Sequence, residues 1–230
     1  MDIVKFKHDL FPFKDIDTET INDKRYYVVA DDKKYMSVTT LLSNLSASSI
    51  KKWKQRVGQE VADKISQQAT ARGEDLHSIC ETYIRNEFEP KKVIPTKLMR
   101  FESVKRKLDA YLGTIKGIEC PLYSDKMRLA GRSDCVGEWN GKMSIIDFKT
   151  SARYKKEQHV QNYFMQATCY SLMMKEMFDL NVDQIVILIV NDAQLDTQMF
   201  VRNPKDYVSP LMECIEKYHP EYSDIRSGLG

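Results

Sequence analysis

Two aspartates and a lysine flank a short turn in the second half of this 230-residue chain. Asn140-Gly141 favours a two-residue β-turn, because both central positions of a type I′ turn need positive φ. Counting outward from this turn places Asp134 opposite Asp147, and Lys149 emerges on the same face two residues later. Two facing carboxylates repel each other and weaken a hairpin. The pattern therefore predicts that they hold a divalent cation in a metal-dependent active site.

The position of Asp147 strengthens this interpretation. It follows Ile145-Ile146, as expected deep in a central strand, where a charge is rare without a partner or a metal. The alternative is a surface salt bridge to Arg132 or Lys149. Carboxylates, carbonyls and water suit Mg²⁺ or Mn²⁺, which would activate a water and offset charge on a phosphate oxygen. Lys149 would stabilise the phosphorane or orient the attacking water.

Helical patterns precede this hairpin. Residues 25–37 predict a small hairpin, and residues 48–88 are mostly helix-forming, with an interruption expected at Gly73. The second of these helices would place Leu76, Ile79, Cys80 and Tyr83 toward the core. Residues 96–112 predict another amphipathic helix.

Strands and helices alternate in the second half of the chain. The pattern predicts strands at 118–123, 129–139, 142–150, 185–190 and 198–201, with helices at 157–178 and 204–217. The apolar run 185–190 is typical of a strand that is buried on both faces. This order predicts an α/β (α+β) fold with a mixed central β-sheet flanked by helices.

Several segments resemble one nuclease superfamily. GRSD and IIDFKTS are similar to motifs II and III of the PD-(D/E)XK nucleases. RGEDLHSICETY and YFMQATCY resemble the G-x-x-x-H and Q-x-x-x-Y helices of its RecB-like branch. SVTTLLSNLSASSIKKWKQRVGQE resembles the mitochondrial genome maintenance exonuclease family and its phage relatives. The resemblance runs from about Tyr35 to Asn191, and it implies a restriction-endonuclease-like core with an N-terminal helical elaboration.

This resemblance also implies roles for individual residues. His77 would be the first metal ligand, Asp134 the second and Asp147 the third. The main-chain carbonyl of Phe148 would complete the set, and Lys149 would be the catalytic lysine. The catalytic residues expected are thus Lys149, Asp134 and Asp147.

Other positions are less directly tied to the motifs. Gln166 and Tyr170 would lie against the active site and the nucleic-acid backbone, the alternative being ordinary core polarity. Glu119, on the strand before the hairpin, could approach the metal. The sequence departs from the usual pattern at Ser133, where the motif has proline, and at Glu74, where threonine is usual. Neither departure affects an expected ligand.

Basic residues gather in three runs that would suit phosphate contacts, although such runs are usually solvated helix faces. One run includes Arg153 and Lys155, which we expect to bind nucleic acid. The runs consist of Lys51, Lys52, Lys54 and Arg56; Lys91, Lys92, Lys97, Arg100, Lys105, Arg106 and Lys107; and Arg153, Lys155 and Lys156.

Composition and charge limit the partners and the cellular compartment that the sequence predicts. The net charge of +2 gives no global field for a polyanion, so local charge must attract one. Five scattered cysteines without a CxxC pair fit a reducing compartment. The iron–sulphur nucleases of the resembled superfamily have three cysteines clustered near the C-terminus, where this chain has only Cys214, so the resemblance implies no iron–sulphur cluster. The N-terminus resembles neither a signal nor a transit peptide, and no apolar run reaches membrane-span length. We expect a cytoplasmic protein of bacterial or phage origin that has no membrane partner.

The sequence thus predicts a single nuclease domain over residues 1–230. Residues 40–112 would form a helical part that covers the site, 117–203 the catalytic sheet, and 204–230 a C-terminal helix and tail. The expected activity is exonuclease cleavage of single-stranded DNA ends, as in DNA repair or recombination. The alternatives are an endonuclease or resolvase of the same superfamily and a non-catalytic nucleic-acid-binding module. Because no GxxxxGK[ST] motif occurs, any unwinding that is needed would come from a partner, and a helicase or a single-strand-binding protein is a possible partner.

Overall fold

The computed structural model describes residues 4–222 and 225–226. The strands are β1 (Asp17–Ile21), β2 (Lys24–Ala30), β3 (Lys33–Ser37), β4 (Leu112–Ser124), β5 (Leu129–Trp139), β6 (Lys142–Ser151), β7 (Gln184–Asn191) and β8 (Asp196–Arg202). The α-helices are α1 (Val38–Ser43), α2 (Ala47–Val57), α3 (Gln59–Ile84), α4 (Pro95–Tyr111), α5 (Gln161–Phe178) and α6 (Val208–Tyr218). Across the described residues, none of the helices has the length and apolar character needed to span a membrane.

All eight strands belong to one mixed sheet. Seven follow the order β1-β2-β3-β5-β6-β7-β8, and β4 pairs with β5. The β6–β7 pair is parallel with α5 between its strands, whereas β5–β6 and β7–β8 are antiparallel. The predicted fold class, a mixed sheet flanked by helices, is therefore confirmed.

The hairpin forms around the predicted turn. Asn140 and Gly141 have φ of 51° and 75°, the left-handed values that a type I′ turn needs. Trp139 pairs with Lys142, as counting from the turn predicts, and the ladder continues inward to the pair Cys135 and Ile146. The next position on each strand is an aspartate.

The strand β5 changes partner along one edge. Its first residues, Leu129 and Ala130, pair with β3, whereas Cys135 to Trp139 pair with β6. The opposite edge of β5 stays paired with β4. The segment between these two partners, residues 131–134, lies where the sheet divides, and we call this place the sheet fork. It opens the sheet beside Asp134.

Two hydrophobic cores cover the two faces of the sheet. Val136 and Ile145 belong to the core that includes α5, and Ile146 and Phe148 belong to the core that includes α3 and α4. Side chains of β6 thus alternate between the cores, as the period of two requires. Asp147 and Lys149 lie on the same face of β6 as Ile145.

One sequence prediction about the helices is wrong. Gly73 does not interrupt α3, which runs without a break over 26 residues. One glycine inside a helix costs only about 1 kcal/mol relative to alanine, and the residues on either side of it are good helix formers. The chain bends instead at Gly58, where φ is 87°.

The two halves of α3 are buried to different extents. The predicted core positions Leu76, Ile79, Cys80 and Tyr83 are all buried in its second half. In the half before Gly73 only Ala62 is buried, and Val61 and Ile65 are exposed. Although Val61 and Ile65 have helical spacing, these apolar residues of the first half therefore do not pack in the core.

Candidate active site

Asp134 lies in the sheet fork and takes part in holding its two strands together. Its Oδ2 accepts a hydrogen bond of 2.7 Å from the backbone N–H of Phe148 on β6. The carboxylate thus pairs with a main-chain donor of β6 just beyond the last β5–β6 ladder pair. The bond fixes this buried side chain between β5 and β6.

His77 reaches the same carboxylate from α3. Its neighbours Leu76, Ile79 and Cys80 anchor the helix in the core, so the half-buried imidazole is held at the fork. His77 Nδ1 lies 3.3 Å from Asp134 Oδ1. Burial alone lowers the pKa of His77, but the hydrogen bond and charge of Asp134 raise it above its usual value. Burial raises the pKa of Asp134, and His77 and Lys149 together outweigh it and lower that pKa.

Asp147 and Lys149 form a second pair on the same strand. Asp147 is 1 % exposed, and its Oδ2 lies 2.5 Å from Lys149 Nζ. Burial raises the pKa of Asp147 to about 6, although the charge of Lys149 opposes this shift. Burial lowers the pKa of Lys149, and the two aspartates outweigh it and raise that pKa. Lys149 Nζ also lies 5.4 Å from the ring centre of Tyr163, so the ammonium is held and stays protonated.

Glu119 completes the group from the other side of Asp134. The pairs Ile118–Cys135 and Cys120–Ser133 place it across from Asp134 on β4. One ligand atom from each of His77, Glu119 and Asp134 lies within 4.8 Å of the other two. Burial and the nearby Asp134 and Glu81 charges raise the pKa of Glu119 to about 7.

The sequence offered one signal for Glu119, a single charge inside the apolar run Ile118 to Leu122. Its register to the hairpin was not predictable, because β4 shifts register twice between Leu112 and Gly117. Glu119 itself has φ of 51°.

This corner of the molecule has the donors of a hard-cation site. Oxygen ligands dominate, with one imidazole, which suits Mg²⁺ or Mn²⁺. The carboxylates of Glu119, Asp134 and Asp147 face one ammonium and one imidazole, so the corner has an excess of negative charge if all three are ionised. A divalent cation would offset that charge. The group that converges most tightly contains Glu119, whereas Asp147 contacts Lys149.

Gln166 and Tyr170 form a wall next to this corner. Both are buried on α5, and Gln166 Nε2 donates to Tyr170 Oη over 3.2 Å. They line a pocket of about 480 Å³ together with Glu119 and Arg132. Tyr170 packs so closely on Gly131 that a Cβ there would lie 2.6 Å from the tyrosine ring.

The predicted basic residues differ from one another in their exposure and in their partners. Arg153 is exposed, and Lys155 is held through its backbone, which exchanges hydrogen bonds with the side chain of Gln198. On α4, Lys97 pairs with Asp75 and the buried Lys105 pairs with Asp109. Of these two pairs, the first joins α4 to α3 and the second lies within α4.

A comparison with protein-family models identifies the superfamily of this chain. The family model of the PD-(D/E)XK nuclease superfamily matches residues 29–221. The chain therefore belongs to the PD-(D/E)XK nuclease superfamily. Membership makes it a hydrolase that acts on nucleic acid, in a superfamily whose nucleases use divalent metals.

A solved structure gives a more distant likeness. The crystal structure of a protein from Eubacterium rectale, described as a putative exonuclease, is similar with a TM-score of 0.47 and 12% identity. The match covers 68% of each chain. A search of the curated proteins found no match.

Proposed function

We propose that this protein is a metal-dependent DNA exonuclease that hydrolyses phosphodiester bonds from the ends of single-stranded DNA. The observation that carries the nuclease proposal is the sheet fork, where α3, β4, β5 and β6 bring His77, Glu119, Asp134, Asp147 and Lys149 together. The preference for single-stranded ends follows from the resemblance to the RecB-like branch and to the mitochondrial genome maintenance exonucleases.

The proposed metal ligands are His77, Asp134, Asp147 and the main-chain carbonyl of Phe148, with Glu119 added. When bound, Mg²⁺ or Mn²⁺ supplies a Lewis acid and lowers the pKa of a water that can attack phosphorus. The hydrogen bond from Phe148 N–H keeps one oxygen of Asp134 directed between the strands.

Lys149 has the properties of a phosphate-stabilising group. Its ammonium stays protonated beside Asp147, so it can donate hydrogen bonds to a phosphate oxygen as negative charge develops there. Asp147 holds the ammonium within 2.5 Å, which limits its freedom before the substrate arrives. Gln166 and Tyr170 would contact the sugar–phosphate backbone from the pocket beside Glu119, and Arg153 and Lys155 would bind the strand farther from the site.

End-labelled linear and covalently closed circular single-stranded DNA test this proposal. With Mg²⁺ or Mn²⁺ the wild type should degrade the linear DNA only, and EDTA should stop the reaction. Asp147→Ala and Lys149→Ala should lower the rate by about a thousandfold or more. Lys175→Ala is the matched control, because Lys175 forms an ion pair with Asp179 on the surface of α5.

Three outcomes would contradict parts of the proposal. Activity that survives Asp147→Ala in a folded protein overturns the site. Degradation of circles favours the endonuclease or resolvase alternative, since a closed circle has no end. Binding of DNA without cleavage under any metal condition favours a non-catalytic module.

A further inference from the structure

Two arginines and an aspartate form a cluster beyond the end of the catalytic strand. Arg72 Nε lies 2.8 Å from Asp192 Oδ2, and Arg100 Nε lies 3.1 Å from Asp192 Oδ1. Arg72 belongs to α3, Arg100 to α4, and Asp192 follows β7 directly. The three side chains are partly exposed, between 18% and 29%. None of them belongs to the site described above.

The cluster lies close to the catalytic lysine. Asp192 N–H donates to Ser151 O, and Ser151 is two residues beyond Lys149 on β6. Two strand residues span about 6.6 Å. On the helix side, Arg72 precedes His77 by five residues, or about 7.5 Å along α3. By both paths, the distance from the cluster to the cleavage site is about the distance between neighbouring phosphates of an extended nucleic-acid strand.

The charges of the cluster are not balanced. Two guanidinium groups share a single carboxylate, which leaves one net positive charge. Arg72 Nε and Asp192 Oδ1 are buried atoms that make no hydrogen bond of good geometry to any described residue. Each arginine links its own helix to the residue that follows β7, and the cluster keeps an excess positive charge. The unbalanced charge and the poorly aligned contacts point to binding of an anion.

We infer that Arg72 and Arg100, held by Asp192, bind the DNA backbone phosphate adjacent to the one that is cleaved. Guanidinium groups suit this ligand, since their planar N–H donors match phosphate oxygens. Asp192 keeps the two arginines together in the absence of DNA and limits their mutual repulsion. The inference rests on the proposed nuclease function and adds a second contact point, which fixes the position of the strand relative to Lys149.

Farther along α4 the positive surface continues. Lys107 and Arg106 lie near Asp196, whose pKa is lowered first by the hydrogen bond of Tyr154 and, to a lesser degree, by these two charges. Asp196 pairs with Asn191 at the β7–β8 turn, next to Asp192. The strand leaving the arginine pair would thus meet further cations on the same helix.

Binding of single-stranded DNA in EDTA, followed by fluorescence anisotropy, tests the inference without cleavage. Arg72→Gln and Arg100→Gln should each weaken binding about tenfold, as expected for one lost charged contact. Each should also lower the slope of log affinity against log salt by about 0.7. Arg128→Gln is the matched control, because Arg128 is a surface arginine paired with Glu221 at the β4–β5 turn.

Oligonucleotides with one neutral methylphosphonate, moved stepwise from the end, locate the contact. At one position the neutral linkage should weaken wild-type binding about tenfold or more, and its effect should be smaller in Arg72→Gln, in which only Arg100 still contacts that phosphate. Wild-type affinity in both folded variants would overturn the inference, and so would a loss that no single neutral linkage reproduces. Arg72→Lys, which keeps the charge, provides a second folded variant if the glutamine form unfolds.

The two proposals fail separately in these assays. Cleavage that depends on Lys149 but is unchanged in both arginine variants overturns the phosphate contact alone. Position-specific binding through Arg72, in a protein that never cleaves DNA, overturns the nuclease proposal and leaves the contact in place.

Discussion

Charged side chains crowd two regions of this molecule, the corner around Asp134 and the surface of α4, and the two regions use charge differently. At the corner, Glu119 and Asp134 lie side by side on neighbouring strands, and the charge of Asp134 also acts on a third carboxylate, Asp147 on β6. On α4, by contrast, Lys97 and Lys105 each face a carboxylate. Charges that are matched pairwise stabilise the fold, whereas charges that crowd with their own sign mark a place for a ligand.

Of the effects that distinguish the two regions, the largest should be on metal binding at the corner around Asp134. Glu119→Gln removes one of three converging ligand groups, so we expect Mn²⁺ affinity to fall by about tenfold or more. Titration calorimetry measures this without any DNA. Glu60→Gln, an exposed change in the first turn of α3, is the control and should bind as the wild type does. Equal affinity in Glu119→Gln would show that the carboxylate is not a ligand.

A moderate effect is expected in the pH dependence of stability without metal. Glu119 has a folded pKa of about 7 against 4.5 ordinarily, so the unfolded chain loses this proton first. The free energy of unfolding should therefore fall as pH rises from about 4.5 to 7, and should be unaffected by Glu119 below that range. Asp147 contributes in the same direction up to about pH 6.

Between pH 6 and 7, Glu119 contributes together with His77 and His219, so a variant is needed to separate its share. Thermal unfolding of Glu119→Gln should be less sensitive to pH there than that of the wild type. Mg²⁺ should reverse the loss of stability at pH 8, because metal binding favours the ionised carboxylates. An unchanged pH profile in the variant would contradict the burial of this side chain.

The smallest effect should come from the paired charges of α4. Lys97→Ala breaks a partly exposed ion pair, so we expect a loss of less than about 1 kcal/mol in the free energy of unfolding. Its affinity for single-stranded DNA should stay within about twofold of the wild type. Arg100→Gln, one turn along the same helix, is the contrasting variant. Equal losses of affinity in both would mean that α4 attracts DNA through its overall charge.

Local sequence signals predicted the hairpin that carries Asp134, Asp147 and Lys149. Asn140-Gly141 determined the hairpin register, because the turn allows few pairings and no bulge intervenes before Cys135. The position of Glu119 depended on β4, whose register to β5 shifts twice and whose residues Ile115 and Lys116 bond to the distant residues 7–11. The pairing of Lys97 with Asp75, and of Arg72 with Asp192, joins separate elements in the same way. Such contacts have no periodicity that a sequence can reveal.

The unbroken course of α3 has a mechanical consequence. The helix is about 39 Å long, and its second half is fixed in the core from Leu76 to Tyr83. The exposed first half is joined to the chain before it through Gly58, and no break in the helix separates it from His77. A force on the outer end of this half would therefore turn the helix about its buried segment, and the imidazole of His77, which lies within that segment, would stay close to Asp134.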